Sequence, residues 1–206
     1  MRERAARRPP HERRQMLIES AQDAFAVGGY NNTNTADVAR GAGVAPAALY
    51  RYFPSKRELY LAALRDAGPR LLSIIADVAD DTGDPLETIW RVGLAYYDRS
   101  GSRSNYARLW FQALGDVSDP EVREAIAANF TATVDLIARL LEKGKRAGIV
   151  KAGLDTRVAA WQFIATGLTF DLLHHIGLED ELDRPRVEEW GRRYIDSLRE
   201  VRDGSR

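Results

Sequence analysis

Apolar residues recur along this chain at the three- and four-residue spacing of helices, and the strict alternation that is typical of strands is nearly absent. The first such segment covers residues 12–27 and places Leu17, Ala21 and Phe25 on one face. Two glycines follow directly and are expected to end this helix, because glycine accepts the left-handed conformation of a C-terminal cap. The pattern predicts an all-α fold.

Residues 35–53 predict a short helix, a turn at Gly43 and a second short helix. Asn34 can cap the first of these helices, with Asp37 as the reciprocal partner of a capping box. Pro46 suits the first position of the second helix, where its missing N–H is harmless and its φ is already helical.

One face of this helix pair is not needed for packing in the hydrophobic core. Leu49 and Phe53 are four residues apart and are expected to face inward, which leaves Pro46, Ala47 and Tyr50 on the opposite side. A helix-turn-helix presents such a face to the major groove of DNA. Tyrosine hydroxyls reach phosphates, and apolar side chains contact the thymine methyl group.

Further helix starts are marked by a capping residue followed by a proline or a glutamate: Ser55 with Glu58, Asp84 with Pro85, and Asp119 with Pro120. The helix that begins at Pro120 is expected to end at Gly148, and two more are predicted over residues 154–175 and 185–201. Gly68-Pro69 is expected to interrupt or kink the fourth helix.

Composition narrows the function classes. The chain has 206 residues and no cysteine, which excludes disulfides, thiol nucleophiles and zinc–thiolate sites. No apolar run is long enough to span a membrane, and the start of the chain lacks the apolar stretch of a signal peptide, so we expect a cytoplasmic protein. Residues 1–65 carry 11 Lys+Arg against 6 Asp+Glu, and the remainder carries 19 against 24. The basic balance of residues 1–65 and the acidic balance of the remainder indicate that only the N-terminal segment binds a polyanion.

The front of the chain resembles the DNA-binding region of the TetR family of bacterial repressors. The resemblance covers about the first quarter of the chain and lies in these residues: Ala21, Phe25, Gly29, Tyr30, Thr33, Val38, Ala39, Ala42, Gly43, Val44, Leu49, Tyr50, Tyr52, Phe53, Lys56 and Leu59. It implies an N-terminal three-helix helix-turn-helix domain, followed by a helical ligand-binding and dimerisation domain. We expect a basic disordered arm over residues 1–11, the DNA-binding domain over 12–54 and the second domain over 55–206.

The resemblance implies that Thr33, Tyr50, Tyr52 and Lys56 touch phosphates or base edges. The full set of candidate DNA-binding residues is Thr33, Asn34, Thr35, Ala45, Pro46, Ala47, Tyr50, Arg51, Tyr52 and Lys56. Two departures from the family pattern matter. Ala45 stands where a capping Ser or Thr is usual, and residues 46–48 give the recognition helix almost no hydrogen-bonding side chains. Methyl contacts, Tyr50 and DNA shape are therefore expected to carry most of the sequence readout. The arginines of the arm either add minor-groove or phosphate contacts or form a solvated tail.

The body is rich in aromatic residues that share helical faces and could enclose a small molecule. The candidate ligand-binding residues are Trp90, Leu94, Tyr97, Trp110, Phe111, Leu114, Phe130, Val134, Phe163, Thr166, Phe170 and His174. Apolar stripes at this spacing also form plain cores. As a set, they fit the mostly apolar ligand sites that occur between helices, and they predict a small apolar or aromatic effector. No further cofactor is expected.

The helix over residues 154–175 is apolar nearly all round, which indicates a partner in addition to its own core. The last helix carries a second apolar stripe. The candidate dimer-interface residues are Trp161, Leu168, Leu172, Trp190, Tyr194 and Leu198. A two-fold homodimer suits an operator with palindromic half-sites about 34 Å apart.

Other interpretations are weaker. The stretch "DDTGD" at residues 80–84 matches the magnesium motif of all-helical prenyl-diphosphate enzymes, but it contains a glycine, precedes a proline and has no second acidic motif, so an enzyme is not expected. Asp171 and His175 share a helix face, but His174 points elsewhere, so a metal site is not expected either. A constitutive or architectural DNA-binding protein without an effector remains the alternative to a ligand-responsive repressor.

Overall fold

A computed structural model of the chain describes residues 9–79, 83–100 and 105–200, with the backbone alone for residues 68–79, 99–100 and 105–106. Over these residues the chain is helical, and its only β-type pairing is an isolated antiparallel bridge between Val150 and Arg199. The helices are α1 (Pro10–Asn32), α2 (Thr35–Gly41), α3 (Pro46–Leu49), α4 (Lys56–Ala79), α5 (Pro85–Ser100), α6 (Asn105–Leu114), α7 (Pro120–Arg146), α8 (Thr156–His175) and α9 (Arg184–Leu198), with a 3-10 helix at Glu179–Leu182. The all-α prediction is confirmed.

The predicted capping residues begin their helices as expected. Backbone N–H groups donate to the side-chain oxygens of Asn34 (2.9 Å), Ser55 (3.1 Å), Asp84 (2.9 Å) and Asp119 (2.9 Å). The capping box at α2 is wrong in its second half, because the Asp37 carboxylate accepts from Arg40 at 2.7 Å. That partner is one turn further along the helix, so Asp37 turns away from the N-cap.

Two helix boundaries differ from the predictions. α1 begins at Pro10, inside the segment that was expected to be a disordered arm, and it continues past the predicted glycine stop to Asn32. Gly29 has φ 64°, so the helix breaks at this residue and resumes for one short turn. α4 runs without interruption across Gly68-Pro69. Residues 1–8 of the predicted arm and residues 80–82 of "DDTGD" lie outside the described part of the chain.

The chain forms two compact units, and each is interleaved in sequence. The first comprises the chain up to Ala67 together with Asn105–Ala127, and the second comprises Gly68–Ser104 and Ala128–Arg206. The predicted DNA-binding domain ends at residue 54. The first unit extends further because the first turns of α4 bury Leu59, Leu61 and Leu64, and because α6 packs along α1.

The second unit has its own hydrophobic core, to which α5, α7, α8 and α9 contribute. Its buried members include Leu86, Ile89, Val134, Ile137, Leu141, Val150, Ile164 and Leu198. Among the described residues, no helix is both long and apolar enough to cross a bilayer.

Candidate nucleic-acid interface and effector site

The helix-turn-helix has the predicted inner and outer faces. Leu49 and Phe53 are buried, whereas Pro46 and Ala47 are exposed and Tyr50 is 52 % exposed. Gly43 has φ 65°, with nothing within 4 Å of a hypothetical Cβ, so backbone conformation and not space requires glycine in this turn. α3 therefore presents a small, mostly apolar outer surface beside one large phenol.

Two of the candidate DNA-binding side chains contact each other. The Thr35 Oγ1 atom on the first turn of α2 lies 3.0 Å from the Tyr50 hydroxyl at the end of α3. This hydrogen bond is exposed and links the two helices of the motif at the outer surface. Sequence spacing alone does not predict it, because the pair is 15 residues apart and meets only after the turn has formed.

Thr33, one of the predicted DNA contacts, bonds to the end of α1. Its side chain is 8 % exposed, and its hydroxyl lies 2.7 Å from the Gly29 carbonyl and 3.1 Å from the Ala24 carbonyl. These two acceptors lie on either side of the break in α1, so Thr33 closes the end of that helix. The hydroxyl is thus directed into the protein, where both of its hydrogen-bond acceptors lie.

Lys56 begins α4 and is held at the surface by two neighbours. Its Nζ donates to the Asn31 carbonyl at 3.1 Å and lies 4.9 Å from the centroid of the Tyr30 ring. An ammonium group has three N–H donors, so two remain for a phosphate after the bond to Asn31. The Arg14 guanidinium of α1 lies 4.9 Å from the Phe53 ring centroid.

The neighbouring residue, Arg57, forms an ion-pair cluster that the sequence analysis missed. Its Nη2 donates to both carboxylate oxygens of Asp119, at 2.9 and 2.7 Å, and its Nη1 donates to Glu121. One turn later, the Tyr60 hydroxyl donates to Asp116 at 3.1 Å. Arg57 and Tyr60 thus attach the first turns of α4 to the loop between α6 and α7. Only tertiary structure pairs residues more than 50 positions apart, so no local motif signals this cluster.

Two pKa shifts follow from this cluster. Burial, followed by the negative charge of Asp116, raises the pKa of Tyr60, which keeps its hydroxyl a donor. Partial burial acts to raise the pKa of Asp119, but the backbone N–H of Glu121, the Arg57 side chain and the backbone N–H of Val122 together hold it below its usual value.

The predicted effector residues belong to both compact units. Trp110, Phe111 and Leu114 lie on α6 in the first unit, and the other nine belong to the second. Val134 is fully buried in the core of the second unit, whereas Leu114 is half exposed. Phe130 stacks on Trp161 with ring centroids 6.3 Å apart.

Three of the predicted effector residues share a cavity inside the second unit. The cavity has a volume of about 220 Å³ and is lined by Tyr97, Asp98, Phe170, Leu173, His174, Glu179 and Leu182. Phe170 meets Tyr97 edge-on at 5.4 Å and Trp190 edge-on at 5.8 Å, which fixes the aromatic wall. The Arg184 guanidinium donates to Asp98, so one of the two carboxylates of the lining is already paired.

The predicted interface residues divide between the surface and the core. Trp161 is 47 % exposed and Leu172 is 45 % exposed, and Leu168 and Trp190 are also exposed. Leu198 is only 2 % exposed, because it packs into the core of its own unit, and so it offers little surface to the predicted dimer interface. Tyr194 is half-buried and donates its hydroxyl to the Ala159 carbonyl at 2.7 Å. The exposed apolar stripe therefore belongs mainly to α8.

Within the described residues, no group of three potential metal ligands comes together. Asp171 is buried and accepts a hydrogen bond from the Tyr96 hydroxyl.

An N-terminal helix-turn-helix with an exposed outer face, joined to a larger helical unit, defines a DNA-binding regulator. A sequence model of the family described as "Bacterial regulatory proteins, tetR family" matches residues 17–63. The chain is 30 % identical over 156 residues to the HTH-type transcriptional activator FasR of Mycolicibacterium smegmatis, covering 73 % of this chain and 71 % of FasR. The chain belongs to the TetR family, as the resemblance in its sequence predicted.

Two other proteins show how this similarity extends. The HTH-type transcriptional repressor KstR2 of Mycobacterium tuberculosis is 34 % identical over 88 residues, which are 43 % of this chain and 44 % of that protein. A crystal structure of the transcriptional regulator FadR from Bacillus subtilis, in complex with stearoyl-CoA, has 19 % sequence identity and a TM-score of 0.69, and the match covers 88 % of this chain and 95 % of that one. The chain is thus a DNA-binding transcriptional regulator and not an enzyme. Its relatives include both an activator and a repressor.

Proposed function

We propose that this protein is a homodimeric repressor that binds a palindromic operator through residues 34–53 and releases it when a small hydrophobic effector binds to the second unit. The observation that carries the proposal is the exposed face of α3 with Tyr50 beside it, in a chain whose residues 1–65 are basic. Lys56, with two N–H donors left, supplies a phosphate contact at the edge of that face.

The homodimer is supported by the surface of α8. Val158, Trp161, Leu168, Leu172 and Ile176 are all exposed and follow one another at steps that keep them on one helical face. A contiguous apolar patch of this kind is typical of an association surface. Two copies related by a two-fold axis would cover the stripe with itself and place two reading heads on one operator.

The effector is supported by the cavity of the second unit. Its walls are Tyr97, Phe170, Leu173 and Leu182, and its polar lining consists of the Asp98 and Glu179 carboxylates and the His174 imidazole. Such a lining suits the apolar part of a ligand, whereas carboxylates would repel phosphates. The FadR structure holds stearoyl-CoA. We therefore infer that acyl-CoA thioesters are the first compounds to test, with the acyl chain directed into the cavity.

The test uses the full chain and a duplex selected by the protein itself from a random pool. Fluorescence anisotropy of the labelled duplex is followed while acyl-CoAs of increasing chain length are added, with free coenzyme A and the matching fatty acids as controls. Release by acyl-CoA but not by coenzyme A supports the proposal, because an effector must bind the DNA-incompetent form more tightly to shift the equilibrium.

The alternative is a constitutive DNA-binding regulator without an effector. It takes the place of the proposal if neither the acyl-CoAs nor a broad panel of apolar and aromatic compounds releases the duplex. A reporter gene behind the selected operator tests the repressor assignment: deletion of the regulator should raise expression, and lower expression would indicate an activator.

A further inference from the structure

The contact between Thr35 and Tyr50 has a chemical consequence for DNA binding. Their hydroxyl oxygens are 3.0 Å apart, which is hydrogen-bond distance, and the bond lies at the surface. Each hydroxyl has one proton. Since one of the two protons lies between the oxygens, the pair can direct only one O–H donor outward.

This pair is surrounded by side chains that cannot take its place. Ala45, Pro46 and Ala47 are exposed on the same motif and have no side-chain hydrogen-bonding atom. The side-chain oxygen of Asn34 accepts the Ala36 N–H at 2.9 Å and so serves as the cap of α2. At the start of α3 the side chains therefore offer no hydrogen bond to DNA, and the nearby Thr35–Tyr50 pair presents hydroxyls at the outer surface.

Phenol is a better donor than an aliphatic alcohol and a poorer acceptor, because its oxygen lone pair is delocalised into the ring. Within the free pair the phenol therefore donates to the Thr35 oxygen. An acceptor on DNA that is stronger than an aliphatic hydroxyl, above all an anionic phosphate oxygen, draws the Tyr50 O–H outward, and the Thr35 hydroxyl then donates to the Tyr50 oxygen. A hydroxyl that accepts a hydrogen bond becomes a stronger donor in turn. The contact also holds the Tyr50 oxygen in place at the surface of the motif, so the position of the donor is set before DNA binds.

We propose that Tyr50 donates to a hydrogen-bond acceptor on the operator and that Thr35 is the positioning residue that orients and strengthens this donor. The proposal rests on the proposed operator binding through residues 34–53. The acceptor is either a phosphate oxygen or a base-edge acceptor in the major groove, such as a purine N7. Both have the same chemistry, and the DNA can be modified to tell them apart.

The experiment is a double-mutant cycle in the full chain, with affinity measured on the duplex that the wild type selects from a random pool. Thr35→Val keeps the shape of the side chain and removes its hydroxyl, and Tyr50→Phe removes only the phenol oxygen. We expect Tyr50→Phe to weaken binding about tenfold and Thr35→Val about fivefold, in line with the net value of single hydrogen bonds. The double variant should bind like Tyr50→Phe alone, because Thr35 acts only through Tyr50.

Two further variants separate positioning from general damage. Thr35→Ser retains the hydroxyl and should restore affinity to within about twofold of the wild type. Thr169→Val removes a threonine hydroxyl that bonds to its own helix, at the Ala165 carbonyl, and should leave binding unchanged. Melting temperatures of all variants should agree closely, since the Thr35–Tyr50 bond is exposed.

Modified duplexes then identify the acceptor. If Tyr50 donates to a base, replacing one purine with its 7-deaza analogue should weaken the wild type and leave Tyr50→Phe unaffected. If Tyr50 donates to the DNA backbone, replacing one phosphate with an uncharged methylphosphonate should weaken binding of the wild type and leave Tyr50→Phe unaffected. Additive losses in the cycle, or failure of Thr35→Ser to restore binding, overturn the positioning role. Failure of the wild type to select any duplex would instead overturn the proposed operator binding, so the two outcomes are distinguishable.

Discussion

Gly191 on α9 lies against the indole ring of Trp90 on α5 with no room for a side chain. A Cβ atom built on Gly191 would lie 2.1 Å from Trp90 Cζ3 and 2.9 Å from Trp90 Cε3. The glycine therefore sets the distance between two helices of the second unit. That unit contains the cavity, so this close approach also fixes the surroundings of Phe170, whose ring contacts Trp190 one residue before the glycine.

Gly191→Ala should destabilise the protein. Alanine improves the helix propensity of this position by about 1 kcal/mol, but overpacking of a core contact costs roughly 1–3 kcal/mol and an overlap of this size falls at the upper end. We expect a net loss of about 1–2 kcal/mol in the free energy of unfolding, measured by urea denaturation. Gly153→Ala is the matched control, because nothing lies within 4 Å of its Cβ position, and it should be neutral. Adding Trp90→Leu should restore stability, and failure to do so would contradict a steric cause.

The helices and their caps could be predicted because their signals are local. Asn34, Ser55, Asp84 and Asp119 each bond to a backbone N–H no more than three residues away. The tertiary arrangement could not be predicted in the same way. Leu198 repeats at helical spacing like a surface stripe, yet it is buried in its own unit.

The candidate DNA-binding site also has features that local sequence predicts and features that depend on tertiary packing. The outer position of Tyr50 follows from the burial of Leu49 at the end of α3 and of Phe53 just after it. The inward turn of the Thr33 hydroxyl depends on the break of α1 at Gly29, which brings two carbonyls within reach. The grouping of α6 with the first unit depends on packing against α1, which a sequence pattern does not specify.

Lys56→Met should reduce the salt dependence of operator binding. Methionine keeps an unbranched stem against the Tyr30 ring and removes the charge that the structure places at the start of α4. The slope of log K against log salt should become shallower by about 0.9 for each protomer bound, with similar losses on operator and random duplexes. Lys143→Ala, an exposed lysine in α7, should leave the slope unchanged. An unaltered slope in Lys56→Met would remove Lys56 from the phosphate contacts.

Acid should weaken the Arg57–Asp119 attachment. Because the pKa of Asp119 is lowered in the folded protein, its stabilising contribution is complete above its unfolded value of about 3.9 and is lost as the pH falls through the lower folded value. Asp119→Asn keeps a residue that can cap α7 but cannot titrate. We expect the melting temperature of the wild type to fall more steeply than that of Asp119→Asn as the pH drops below about 4.

The matched control for this comparison is Asp180→Asn, which removes an exposed carboxylate on the 3-10 helix. It should follow the wild type across the whole range. If Asp119→Asn loses stability with acid as steeply as the wild type does, then the contacts to Arg57 and the α7 backbone do not contribute to the acid sensitivity.

Replacing Leu168 and Leu172 together with glutamate should give monomers. Both side chains are exposed on the α8 stripe, so charge at these positions blocks self-association while the core of the unit remains intact. Sedimentation velocity measures the oligomeric state, and circular dichroism checks that helix content is retained. Val27→Glu, on α1 and 61 % exposed, is the control and should remain dimeric. A folded dimer in the double variant would place the interface away from the α8 stripe.

Leu173→Trp should change the effector response and leave operator binding without effector intact. Leu173 lines the cavity of about 220 Å³ in the second unit, and the helix-turn-helix belongs to the first. An indole in place of an isobutyl group would fill much of that space, so ligands with a bulky apolar end should lose affinity more than short ones. The measurement is the acyl-CoA concentration that releases half of the labelled operator, compared across chain lengths for wild type and variant. Leu178→Trp adds the same ring at an exposed position outside the lining and should behave like the wild type.

An unchanged response in Leu173→Trp, with operator release still efficient, would show that the effector binds elsewhere in the chain. Loss of operator binding without any ligand would show instead that the variant disturbs more than the cavity. A shift in the preferred chain length is therefore the result that identifies this cavity as the site of the acyl end.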